Sequence, residues 1–148
     1  MMRKILPTTY FLFCLLTAIV CHFLFPSPRI VTPSYYYLGV LLILAGIWLN
    51  IWADRLFKKK KTSVKPLEKP SALITEGPFR FSRHPMYLGF VLLMIGVAVL
   101  LGSVVAFLAP MAMLMTLEII FIPYEEKTLE EIFGQKYSDY KKRVRRWL

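Results

Sequence analysis

The groups able to do chemistry in this sequence gather in two places. The first is Gly77-Pro78-Phe79-Arg80-Phe81-Ser82-Arg83-His84-Pro85-Met86-Tyr87-Leu88-Gly89, at the mouth of a membrane-length apolar run; the second is Glu125-Glu126, at the end of the next run. His84-Pro85 marks a helix start, because proline is tolerated in a first turn whose N–H groups have no intrahelical partner. Those N–H groups and the positive end of the helix dipole suit an anion such as a carboxylate, and Arg80 and Arg83 add to the local potential. The segment reads as a loop that grips a cofactor. Glu118 is a further ionisable group, inside an apolar run about two turns before Glu125, where a carboxyl is costly unless paired or protonated. It suits either a general base toward an amine or hydroxyl acceptor, or a protonated carboxyl hydrogen-bonded to another helix, with Asn50 and Asp54 as available partners.

The elements that must position these groups are set by composition. With 57% hydrophobic and 19% charged residues, the chain departs far from an ordinary soluble domain. Four apolar runs, Thr8 to Phe25, Tyr35 to Ala53, Met86 to Gly102 and Val104 to Ile122, each approach the ~20 residues that cross a bilayer. Hydrocarbon offers no partner to a free backbone N–H or C=O, and four spans are too few for a closed barrel, so the runs are helices. The predicted fold is all-α: a polytopic membrane protein with four transmembrane helices and a C-terminal amphipathic helix, one domain over residues 1–148. The first run follows Arg3 and Lys4 but lacks a small-x-small cleavage site, so it reads as a retained span. Little more than Gly102-Ser103 separates runs three and four. They must form a tight antiparallel hairpin that brings Glu125 back beside His84.

Lys and Arg number two before the first run, one between the first and second, nine between the second and third, and seven after the fourth. The positive-inside rule therefore places both termini and residues 54–85 in the cytoplasm, with Arg29 alone on the other side. The net charge of +10 hugs span ends, where anionic headgroups rather than nucleic acid are the nearer partner. Lys58 to Lys61 read as a headgroup anchor, and Lys58 to Pro70 as an extended or mobile linker. Gly77-Pro78 after it signals a turn.

Cys14 and Cys21 share one helical face without a second Cys pair or a His array, a poor zinc site; buried thiols packed against a neighbouring helix are the simpler reading. His22 reads as an interfacial residue. From Glu125 onward, Leu129, Phe133, Tyr137, Tyr140, Val144 and Trp147 recur at helical spacing, with a bend at Gly134. Lys141, Lys142, Arg143, Arg145 and Arg146 form the polar side, so this tail lies at a headgroup surface or caps the pocket.

The pattern Gly-Pro-Phe-x-x-x-Arg-His-Pro-Met-Tyr-x-Gly, then a hairpin, then Glu125-Glu126, Leu129, Phe133-Gly134, Tyr137, Tyr140 and Val144, resembles the isoprenylcysteine carboxyl methyltransferases and their relatives among phospholipid methyltransferases. The resemblance covers about residues 71–147. It implies a membrane-embedded enzyme using S-adenosylmethionine without a Rossmann domain. It also implies that Leu73 and Ile74 line the cofactor, that Phe79 matches a family aromatic, and that His84, Pro85, Met86 and Tyr87 form the central binding motif. Glu125 matches the carboxylate that contacts the cofactor, with Glu126 beside it.

These residue types answer a donor that combines a sulfonium, an amino-acid end and a flat adenine. Methyl transfer is a direct displacement, so alignment and exclusion of water suffice, without a protein nucleophile or a metal. Prenylcysteine methyltransferases carry an Arg four residues before the cofactor-contacting Glu; here that position is Phe121, which cannot pair with an anion. Arg145 and Arg146, or Arg83, supply the charge instead, or the acceptor is a different lipid-like molecule entering sideways between helices. Glu118 and Arg83 are accordingly the candidate catalytic residues. The combined expectation is a methyltransferase of a bacterial or archaeal inner membrane, with membrane lipids and a lipid-like acceptor as partners. The alternatives are an NADPH-dependent enzyme related to the sterol reductases, and a non-enzymatic membrane protein that binds headgroups or a partner subunit.

Overall fold

The computed structural model describes residues 6–25, 27–62 and 70–148. The helices are α1 (Pro7–Leu24), α2 (Tyr36–Lys59), α3 (Pro85–Leu101), α4 (Leu108–Thr116), α5 (Ile122–Phe133) and α6 (Gln135–Arg143). A π turn, Leu117–Phe121, fuses α4 to α5. Three stretches, Pro7–Leu24, Pro33–Lys59 and Val104–Phe133, are long and apolar enough to cross a membrane, and α3 is a shorter apolar helix of 17 residues. Large apolar side chains such as Phe13, Leu16, Trp48 and Ile119 stand exposed on the outer faces, where hydrocarbon rather than water is the fitting solvent. The protein is an all-α integral membrane protein, as its composition predicts.

Helices α1 and α3 begin and end within one residue of the predicted runs, whereas two elements continue past their predicted ends. Helix α2 reaches Lys59 instead of stopping at Ala53, and the fourth stretch stays helical to Phe133 instead of ending at Ile122. A hydropathy run stops where polar residues begin, but helical backbone does not: Lys58 Nζ sits 2.6 Å from Asp54 across one turn, a spacing that supports continued helix. The predicted linker thus starts in a helix. Its residues 63–69, like Arg3 and Lys4, lie outside the described residues.

Helices α2 and α3 pack through a stripe of small residues. Gly39 and Gly46 on α2 oppose Gly96 and Gly89 on α3 in antiparallel register, and a Cβ on Gly46 would lie 2.6 Å from the Gly89 carbonyl oxygen. With only hydrogens between them, the two backbones approach closely enough for dispersion and weak Cα–H···O contacts to replace the hydrophobic drive that lipid does not supply. The stripe continues to Ala53, fully buried beside Ile74 and Phe79. The other face of α3 supplies Tyr87, Val91 and Met94 to a core shared with Phe11 and Cys14 of α1 and with Met113, Leu117 and Ile122. Cys14 is the packed thiol that the sequence predicts; Cys21 is only half-buried.

The predicted hairpin closes at Gly102, whose φ of +70° is the left-handed cap that glycine adopts without strain. The Gly102 carbonyl accepts the Ile30 N–H at 2.8 Å, and His22 Nδ1 lies 2.7 Å from Ser103 Oγ, so the two loops at this end are tied together. At the opposite, basic end, the chain turns at Gly77 (φ +58°) into the short helical turn Gly77–Arg80. The tail breaks at Gly134 (φ +50°) as predicted. Its last residues depart from the prediction: Val144 is extended, the helix ends at Arg143, and Arg145 and Arg146 do not continue a surface helix.

Candidate functional site

The end of α2, the start of α3, α5 and the tail converge at the basic end. His84 is the residue before α3, and Pro85 is its first helical residue. The Ser82 hydroxyl accepts the His84 backbone N–H at 3.2 Å and donates to the Arg146 carbonyl at 3.2 Å. The Arg83 N–H donates to the Arg145 carbonyl at 3.1 Å. From α6, the Tyr140 hydroxyl donates to the Phe79 carbonyl at 2.7 Å. The Gly77–His84 loop is therefore stitched to the tail by backbone and hydroxyl groups, and its charged side chains are held from behind.

Their charges meet at Glu126, which is buried. Glu126 Oε1 lies 2.9 Å from Arg83 Nη1 and 3.3 Å from His84 Nε2, and Arg146 contacts both carboxylate oxygens, at 3.3 and 2.9 Å. His84 Nδ1 faces the second carboxylate, Glu125 Oε2, at 3.6 Å. The structure thus brings together His84, Arg83, Glu125 and Glu126, separated by some forty positions in sequence, as the hairpin argument anticipates. Burial alone would pull the His84 imidazole down, but Glu125 and Glu126 outweigh it and hold the pKa above its ordinary value of 6.5.

A pH dependence follows. A raised folded pKa means that the charged pair stabilises fully below the unfolded value near 6.5 and is lost as pH rises through the folded value. Thermal unfolding in detergent should therefore show stability declining as the solution is made alkaline from pH ~6, and His84→Gln should remove that part of the slope. An unchanged slope in the variant would show that His84 does not carry it.

Glu118 finds neither of its predicted partners. Asn50 donates to its own helix at Gly46 O and Asp54 pairs with Lys58, while Glu118 forms an ion pair with Arg146 and accepts the Trp147 indole N–H at 2.9 Å. The π turn explains the alignment. Pro123 lacks the N–H that an α-helix requires and would crowd the carbonyl four residues back; the turn before it widens, with Ile122 N–H reaching Leu117 O. In a regular α-helix residues eight apart point about 80° apart; one extra residue delays the rotation by about 100° and brings them nearly into line. Glu118 and Glu126 consequently share Arg146, and Glu125 turns toward the cavity.

That cavity is lined by Leu6, Pro7 and Thr8 of the α1 start, Phe57 of α2, Phe79, Arg83 to Tyr87, Phe90 and Glu125, and its volume is about 140 Å³. This is below the ~300–1,000 Å³ typical of small-molecule sites. Its walls are apolar and aromatic, with His84 and Tyr87 rings stacked at 5.5 Å, and its charged groups stand together on one side. Of the predicted cofactor residues, Phe79, His84, Pro85, Met86, Tyr87 and Glu125 line it, together with Arg83. Glu126 stands behind as the shared counter-ion. Leu73 and Ile74 do not line it: Ile74 packs with Ala53 and Phe79. Phe121 packs on Tyr10 at 6.1 Å between ring centres. Sequence reasoning names Arg146 only as part of the tail's polar side and as a cation for an acceptor, and Tyr137 and Tyr140 only as part of the tail's repeat and of the family pattern; the structure adds that Arg146 pairs with Glu126 and that Tyr140 and Ser82 bind the loop to the tail.

Comparison with known proteins gives the arrangement a family. The phospholipid methyltransferase family matches residues 34–136. Protein-S-isoprenylcysteine O-methyltransferase B of Arabidopsis thaliana is 35% identical over 77 residues, 52% of this chain and 39% of that protein. Protein-S-isoprenylcysteine O-methyltransferase of Saccharomyces cerevisiae is 30% identical over 145 residues, 89% of this chain and 58% of that protein. A probable protein-S-isoprenylcysteine O-methyltransferase of Oryza sativa subsp. indica is 31% identical over 110 residues, 73% of this chain and 58% of that protein. The chain thus spans between 39% and 58% of the length of these curated relatives. No solved structure matches it significantly. With the family matched over α2 to α5 and the Gly77–His84 loop between them, the chain belongs to the phospholipid methyltransferase family, a group of S-adenosylmethionine-dependent membrane methyltransferases.

Proposed function

We propose that this protein is a membrane methyltransferase of four crossings that takes S-adenosylmethionine from the cytoplasm and a lipid-like acceptor from the bilayer. The observation that carries the reading is the cavity of His84, Tyr87, Phe79 and Glu125 at the basic end, and the Lys and Arg excess there supports a cytoplasmic side. The residues fit the donor: the Glu125 carboxylate lines a space whose other walls are largely apolar and aromatic and suited to a nucleoside. The donor supplies an activated methyl on a cationic sulfonium. The chain's own work is to bind, orient and exclude water, with a carboxylate near the positive charge and apolar walls around it.

The acceptor side is distinct. Phe121 stands where an anion-pairing Arg would be expected, and Arg146 is fully occupied by Glu118 and Glu126, so neither offers a free cation to an acceptor headgroup. Glu118 is drawn into that ion pair, which favours a structural carboxylate over a general base. A neutral or amine-bearing lipid is the acceptor class these residues suit.

Calorimetric titration of the purified protein in nanodiscs tests the reading. S-adenosylmethionine should bind, and Glu125→Gln should weaken it about tenfold, the ~1.4 kcal/mol scale of one charge-assisted contact. Binding of NADPH in place of the methyl donor would support the reductase alternative. Binding of neither would leave a headgroup-binding membrane protein.

A further inference from the structure

The basic end of α2 carries more positive charge than its acidic neighbours neutralise. Lys58 pairs with Asp54 at 2.6 Å and Lys60 with Glu76 at 2.9 Å, so two lysines of the run that reads as a headgroup anchor are already answered within the protein. Arg55 and Lys59 are exposed, and among the described residues neither pairs with a carboxylate. Trp48, Trp52, Arg55 and Lys59 follow one another at steps of four, three and four, the spacing that gathers side chains on one helical face. Trp48 is 60% exposed, and its ring lies 4.8 Å from that of Trp52. The flank of this face is closed by the turn at Gly77, where a Cβ would meet Leu56 Cδ1 at 2.7 Å and Trp52 Nε1 at 3.2 Å. The Trp52 indole is thus braced by protein beside a face left to the membrane.

We propose that this face of α2 binds one anionic phospholipid, its phosphate taken by Arg55 and Lys59 and its glycerol and upper acyl chains laid on the Trp48–Trp52 pair. The order of groups along the helix matches the order along a lipid. Indoles settle at the membrane–water boundary, and Arg55 stands about 4.5 Å further along the axis than Trp52, on the side where a phosphate lies beyond the glycerol. A guanidinium meets phosphate oxygens in two-pronged fashion, and a lysine adds a point charge. A zwitterionic headgroup suits the place poorly, because its ammonium would stand among cations while the nearby acids, Asp54 and Glu76, are already paired. An anchor that only fixes orientation needs charge, but neither a paired set of indoles nor unpaired cations in register with them. The inference concerns the outer surface of α2 and is independent of the methyltransferase reading.

The test reads tryptophan fluorescence of the full chain in phosphatidylcholine nanodiscs. Into these is titrated either phosphatidylglycerol or phosphatidylcholine carrying bromine on the acyl chains, which quenches a nearby indole. Wild type should reach half-maximal quenching at a mole fraction of the anionic lipid at least tenfold lower than that of the zwitterionic one. Arg55→Gln and Lys59→Gln should each reduce the preference about fivefold, the scale of one basic residue at an anionic surface, and the double variant should abolish it. Quenching of the double variant by brominated phosphatidylcholine as in wild type shows that it is folded with Trp48 still facing lipid. Trp48→Phe should remove most of the response to the anionic lipid, whereas Trp147→Phe should leave it. Lys136→Gln/Arg143→Gln takes equal charge from α6 and should keep the preference. Equal loss in the two double variants would mean that net charge alone draws the lipid, and it overturns the site. So does a wild type that quenches alike with both lipids, or a preference that survives the loss of Arg55 and Lys59.

Discussion

Glu126→Ala should be the most damaging single substitution in the molecule. It removes the one carboxylate shared by Arg83, His84 and Arg146, and stranding buried charges by deleting a partner costs about 3–5 kcal/mol. Because Arg146 also anchors the tail, limited proteolysis should cut the variant after α6 faster than it cuts wild type. Donor binding should fall as well, since His84 and Arg83 lose their common support. Denaturant unfolding in detergent within about 1 kcal/mol of wild type would mean that the three cations are independently solvated.

Enlarging Gly46 should have the next largest effect. A Cβ there meets backbone, the Gly89 carbonyl oxygen at 2.6 Å, and backbone cannot rotate aside as a side chain can. Overpacking of a close core costs about 1–3 kcal/mol. Gly46→Ala should fall near the low end of that range and Gly46→Leu at or beyond the high end, by unfolding in detergent. The loss extends to the cavity, because α2 and α3 carry Phe57 and His84 to Tyr87 into its wall. Wild-type stability in Gly46→Leu would show that the two helices have room between them.

The parts of the fold legible in the sequence are those governed by one strong force at a time. Hydropathy located α1 and α3 to within a residue because burial in lipid leaves the backbone no alternative to helix. Gly102-Ser103 is too short for anything but a hairpin, and from that alone His84 and Glu125 could be placed together. Where forces compete, the sequence is ambiguous. Arg145 and Arg146 fit the polar side of a surface helix by spacing, yet the backbone leaves the helix at Val144 and Arg146 turns inward. An uncompensated pair of acids outweighs a helical repeat. Glu118 hinted at this by demanding a partner, but Asn50 and Asp54, near in depth, were the only ones that sequence order suggested. The role of Leu73 and Ile74 rests on the family resemblance and on no pattern in their own neighbourhood; the structure places Ile74 in a small cluster with Ala53 and Phe79.

The widened turn at Leu117–Phe121 absorbs one residue that a regular α-helix could not hold without turning the two acids apart. Deleting Ile120 would let that turn close to an α turn and leave Glu118 and Glu126 seven positions apart, still within about 20° of one line. A double-mutant cycle between Glu118 and Arg146 should therefore keep its coupling in the deletion variant. If the coupling vanishes on deletion, the register is being set elsewhere. A helix with such a turn gains or sheds a codon at its middle while the acidic groups at its end keep their bearing.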